Sequence, residues 1–265
     1  MGFWTKEHVI TVLPAFAVMI LLSLLARRWL IGKSFERRMI PLKIIAVLLI
    51  LLEIGKQICS ARQGYNLYHI PLHFCSLFIY LLPLYAFYRG KGEGNVRSVA
   101  SAAMTSLLFG MLVMPNVIYE AVRLEAFFTD YLAFHTVFFH NLVIFALFLS
   151  FSLDLHKPSG GRGEAAFILA FGIGFVALAA VVSHALETNY SNFLYSTVDA
   201  VDRLAEQLKL SIGEMPTTIL YTAILAVLHL LLLLATNYIF LACCIAKEKL
   251  LAKNTPDRTG QRSRK

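Results

Sequence analysis

Cys75 and the histidines around it are the side chains of this chain best suited to covalent chemistry. The run His69-Ile70-Pro71-Leu72-His73-Phe74-Cys75-Ser76 enters an apolar stretch. Pro71 suits the first position of a helix, because its missing N–H would lack a partner there anyway. His73 and Cys75 then fall in the first turn. Backbone N–H groups at a helix start favour an anion and so activate a thiol. Cys75 is therefore a candidate nucleophile; the competing reading is a small apolar filler. Residues two apart on a helix point about 160° away from each other, so His73 is not the base for Cys75, and its stripe partner is His69. A base must come from another helix unless this helix start is distorted. His140 is the best candidate, with Thr136 on its stripe and Asn141 beside it. His135 lies about 140° from His140 around the same helix, so the two are not expected to face one centre. Counted from the helix ends, His140 sits about 13 Å deep and Cys75 about 7 Å deep.

Further polar residues interrupt apolar segments at similar depth. Glu53, Lys56 and Gln57 share one helical stripe, with Lys56 expected either to neutralise Glu53 locally and snorkel outward or to line a polar cavity. Asn116, His184, Asn189 and Tyr190 fall near the same level, while His229 and Asn237 read as packing groups. Ionisable groups in hydrocarbon segments face inward. Glu53, Gln57, His73, Asn116, His135, His184, Asn189 and Tyr190 are thus the expected binding residues of a one-sided polar cavity. Eight histidines invite a zinc site, but no HExxH or paired CxxC occurs and His69/His73 is a bare i,i+4 pair. No metal or other cofactor is expected. Cys59 and Cys75 both lie towards the outside, where an oxidising compartment would allow a disulfide, which would remove the nucleophile. Cys243 and Cys244 read as small apolar packing groups.

The elements that position these residues are membrane helices. Of 265 residues, 58% are hydrophobic and 15% charged, against about 25% charged in soluble domains. Such a composition excludes a disordered chain, a nucleic-acid-binding domain and an ordinary cytosolic enzyme. Seven stretches are long enough to span a bilayer: 9–26, 40–58, 70–88, 98–119, 131–151, 165–186 and 217–245. The expected fold is all-α, a single seven-helix membrane domain over 1–249 with a basic disordered tail over 250–265. The net charge of +8 reports topology. Eighteen of the 24 lysines and arginines fall on one side of the spans and six on the other. The basic side is expected to be cytoplasmic, with the amino terminus outside and the carboxyl terminus inside. Residues 27–39 form a basic connection on that side. An outer amphipathic helix is expected over about 194–209, either lying on the surface or covering the bundle mouth.

The run IPLHFCSLFIYLLPL at 70–84 resembles the signature of the YwaF-type integral membrane family. Glu53 to Gln57, FHTVFFHNLVI at 134–144 and TNYSNFL at 188–194 stand in the matching order. Phe74 replaces the usual aliphatic residue between His and Cys. A eukaryotic relative of that family moves a fatty acyl group onto a lysophospholipid, with a cysteine of the matching run as acyl carrier. The resemblance implies a lipid acyltransferase, with Cys75 as nucleophile, His140 as base, Asn189, Tyr190, Glu53 and Gln57 shaping the site, and membrane lipids rather than nucleic acid as partners. A multi-pass protein of the bacterial cytoplasmic membrane is expected. The competing functions are a transporter or receptor, and a His-rich metal-site protein. The absence of an ion-pair chain crossing the membrane disfavours transport.

Overall fold

The computed structural model describes residues 4–115 and 126–253, and the described residues form eight α-helices and no strand. These are α1 (Lys6–Leu30), α2 (Phe35–Arg62), α3 (Phe78–Phe87), α4 (Glu93–Val113), α5 (Tyr131–Ser152), α6 (Arg162–Ala185), α7 (Asp199–Ile212) and α8 (Glu214–Lys253). Five of them, α1, α4, α5, α6 and α8, are long and apolar enough to cross a membrane. A shorter apolar segment, Phe74–Phe87, joins a 3-10 turn to α3. At about 1.5 Å per residue, the 40 residues of α8 extend about 60 Å, well beyond a hydrocarbon core of about 30 Å.

α4 occupies the middle of the bundle. Its run of small residues, from Ser98 to Ser106, is buried throughout, and it packs against α3, α5, α6 and α8. Small side chains let neighbouring backbones approach closely and exchange hydrogen bonds. Accordingly Ser106 Oγ lies 2.9 Å from Thr236 Oγ1, which also donates to the Ala102 carbonyl at 3.0 Å. Met39, Leu42, Leu49, Phe78, Leu82, Met104 and Ile144 fill the core. Large apolar side chains such as Leu21, Ile173, Val181 and Leu231 remain more than half exposed. An apolar exterior around a packed interior suits a lipid environment and would be an aggregation hazard in water.

Five segments depart from the expected boundaries. The 70–88 segment is not helical from Pro71. Ile70, preceding the proline, is held extended at ψ 132°, and His73 is also extended at ψ 153°; a residue before proline is barred from the α region. Helical structure therefore begins only at Phe74. The 98–119 helix stops at Val113, because Met114 precedes Pro115 and takes φ −135°, ψ 62°. Asn116 lies outside the described residues. Residues 27–30 complete α1 and 35–39 begin α2, so the basic connection shrinks to 31–34. The amphipathic helix starts at Asp199 rather than near 194, after a non-helical stretch that borders the cavity described below. α8 carries residues 250–253 in helix, so the expected tail is helical there; the rest of it lies outside the described residues.

One end of the bundle is closed by charge. Asp154 accepts from Arg27 Nη1 at 3.0 Å and from Lys247, while Arg27, Lys247 and Arg38 also donate to the carbonyls of Ser152, Phe151 and Leu153. Three cations thus satisfy the carbonyls at the end of α5, where the helix dipole is negative.

Candidate functional site

At the opposite end, a cavity of about 640 Å³ opens between α2, α4, α5 and α8 and the 3-10 turns before α3 and α7. Its wall brings together Glu53 and Lys56 of α2, the segment His73–Ser76, His135, Thr136 and His140 of α5, and His229 of α8. Ser191, Asn192 and Thr197 close it from the segment before α7.

The wall is held by hydrogen bonds. Glu53 Oε1 accepts from Lys56 Nζ at 2.8 Å and from Gln57 Nε2 at 2.7 Å. Glu53 Oε2 lies 3.3 Å from His135 Nε2, off the direction of a full hydrogen bond. Lys56 therefore does not snorkel: its side chain is 12% exposed, held inward by an acidic partner one turn away. The same Gln57 amide donates to the His69 carbonyl at 2.8 Å, and Tyr65 Oη donates to Gln57 Oε1 at 2.7 Å. His69 Nδ1 lies 2.7 Å from Ser60 Oγ.

His73 and Cys75 both line the cavity, so the opposed placement expected of a regular helix is overturned. The cause is the extended backbone at His73, the distortion that would permit it. His73 Nε2 donates to the Tyr68 carbonyl at 3.0 Å, and its ring sits between Tyr68 and Tyr190, at 4.3 and 5.3 Å. His135 and His140 also share the cavity. They flank a broad face of α5 on which Thr136 and Phe139 fall between them, and long side chains close the angular gap. His140 Nδ1 donates to the Thr136 carbonyl at 2.5 Å, which leaves Nε2 as the basic nitrogen of the neutral ring. All four cysteines are free, including Cys59 and Cys75, so no disulfide competes for the thiol.

Other expected residues stand elsewhere. His184, in the last turn of α6, reaches across to Thr222 of α8 at 3.3 Å and does not line the cavity. Asn189 organises its own turn: Oδ1 accepts from Leu194 N at 3.0 Å, and Nδ2 donates to the Tyr195 carbonyl. Tyr190 is fully buried behind His73, with its hydroxyl donating to the Leu67 carbonyl at 2.5 Å. Both support the wall without facing the cavity. Gln57 faces a separate lateral groove. Missed from the sequence were Ser191 and Asn192, two residues beyond Asn189. They adopt left-handed φ of 51° and 66°, rare for residues other than glycine, and Tyr221 Oη holds the Asn192 carbonyl at 2.8 Å. Nothing in a polar TNYSN string announces two successive left-handed residues. His229, read as packing, lines the cavity too, against Phe193. Among the described residues no three His, Cys, Asp or Glu side chains converge as metal ligands.

The apolar exterior, the membrane-length helices and this half-buried polar cavity define a multi-pass integral membrane protein. The chain belongs to the TMEM164 family, whose model matches residues 3–205. The matched stretch includes the whole cavity wall except the two residues from α8. No curated protein and no solved structure matches the chain.

Proposed function

We propose that the protein is a membrane-embedded acyltransferase that moves a fatty acyl group between phospholipids through a thioester on Cys75. The observation that carries this reading is that Cys75, at the start of a helical segment, and His140, with Nε2 as its basic nitrogen, line one cavity in a lipid-facing bundle. The resemblance of 70–84 to a family with an acyl-carrying cysteine supports it.

The chemistry balances on these two side chains. His140 Nε2 takes the Cys75 thiol proton as sulfur attacks the ester carbonyl of a donor phospholipid. The C–O bond breaks, and the leaving lysophospholipid alkoxide takes that proton from His140. The acceptor lysophospholipid hydroxyl then gives its proton to His140 and attacks the thioester. The C–S bond breaks, the proton returns to sulfur, and the thiol is regenerated. His135, His73 and the Glu53–Lys56–Gln57 network hold the polar wall around the reacting carbonyl.

This reading includes seven crossings, with α2 and Phe74–Phe87 added to the five long helices. It places the amino terminus outside and the carboxyl terminus in the cytoplasm of a bacterial cell. The cations gathered around Asp154 favour that end as the cytoplasmic one. The decisive test is intact-protein mass spectrometry of purified protein incubated with phosphatidylcholine. An acyl-sized, hydroxylamine-labile adduct on Cys75, absent in Cys75→Ala, is expected; acyl exchange that persists in Cys75→Ala would overturn the proposal.

A further inference from the structure

A second concavity lies outside the polar cavity. A groove of about 610 Å³ runs along α2 against α3, with Ile50, Ile54 and Ile58 on one wall and Ile79 on the other. The three α2 isoleucines are spaced by four residues and thus form one stripe. Each is between 39% and 50% exposed, so in a membrane this stripe faces hydrocarbon. The groove extends from Ile50 to Ala61 along α2. At about 1.5 Å per residue this is about 16 Å, the hydrocarbon depth of a single leaflet.

The ends and inner edge of the groove are chemically distinct from its walls. Arg62 follows Ala61 at the groove's outer end and enters none of the ion pairs among the described residues. It supplies a positive charge at headgroup height, complementary to a phosphodiester. Along the inner edge run Tyr65, Gln57 and Glu53, linked by the hydrogen bonds given above. Glu53 lines the groove and the polar cavity alike. One side chain's thickness therefore separates the bilayer from the space containing Cys75.

We infer that the α2–α3 groove binds one acyl chain of a glycerophospholipid from the leaflet at the Cys75 end, with its phosphate beside Arg62, its ester region at the Ala61 end and its chain running along the isoleucine stripe past the Glu53–Gln57 edge. An isoleucine stripe one leaflet deep, a cation at headgroup height and a polar edge opening on a cavity match an amphiphile that is apolar below and anionic above. The use of this site in acyl transfer rests on the function proposed above; the binding of the chain does not.

The test is photolabelling in phosphatidylcholine nanodiscs carrying a trace of phosphatidylcholine with a diazirine in its acyl chain, followed by peptide mapping. Labelling of Ile54, Ile58 and Ile79 is expected to exceed by about tenfold that of Ile224 and Leu231, which stand for ordinary lipid contact on α8. Ile54→Trp is expected to remove the excess while leaving the α8 labelling unchanged, which also verifies folding. Arg62→Gln should lower that excess for the same probe. Even labelling of both faces, or full groove labelling in Ile54→Trp, would overturn the inference. Excess groove labelling in a protein that forms no Cys75 adduct would sustain the chain site and remove the acyl-transfer reading.

Discussion

Glu53 Oε2 lies 3.3 Å from Nε2 of His135, joining α2 to α5 across the wall of the polar cavity. Both side chains are at least nine-tenths buried, and the same carboxylate neutralises Lys56. A charge with this little water around it depends on its partners.

Glu53→Leu is accordingly expected to lose about 3–5 kcal/mol, because it strands the Lys56 ammonium. Lys56→Leu should cost a similar amount by stranding the carboxylate. The double substitution should recover most of the loss, since an apolar pair needs no compensation. Thermal unfolding of the detergent-solubilised protein measures all three; a double variant no more stable than the singles would show that the pair is not what holds the wall.

His140→Gln keeps a polar, hydrogen-bonding side chain at the position but removes the base. Acyl exchange is expected to fall by about 10²–10⁴-fold, with unfolding temperature little changed. A value within threefold of wild type would assign the proton transfer elsewhere.

Gly55 carries a packing constraint between the same two helices. A methyl group at this position would come within 2.1 Å of Tyr131 Oη and 2.6 Å of its Cζ, and that hydroxyl donates to the Leu52 carbonyl at 2.9 Å. Gly55→Ala must push the ring away and break this bond, at about 1–3 kcal/mol. Combining it with Tyr131→Phe should give less than the sum of the two single effects, and strict additivity would count against the contact.

His156, in the connection between α5 and α6, gives a pH signature. Burial pushes its imidazole down to about 4; Glu164 opposes this and Arg97 adds to it. Its Nε2 lies 2.8 Å from Ser98 Oγ. A group whose pKa is depressed by folding contributes stability above its unfolded value, about 6.5 for histidine. That contribution is lost as pH falls from there toward 4. Thermal midpoints should therefore drop more steeply over this range in wild type than in His156→Gln; parallel curves would contradict the assignment.

Length and hydropathy were enough to establish an all-α membrane chain, because the cost of exposing backbone groups to hydrocarbon leaves helices as the spanning element for apolar runs of this length. The separate polar residues of apolar segments also named part of the cavity wall: Glu53, His73, Cys75, His135 and His140. Their mutual placement depended on the tertiary structure. A regular helical wheel sets His73 against Cys75 and His135 against His140. The first pair was reconciled by the extended backbone at His73, and the second by the breadth of a helix face seen from a cavity. Asn189, Tyr190 and His184 are the same kinds of residue at the same depth, yet a turn, a stacked ring and a neighbouring threonine absorb them. Whether a polar side chain faces a cavity or a hydrogen-bonding neighbour is settled by what other helices bring to it, and one-dimensional spacing holds no record of that.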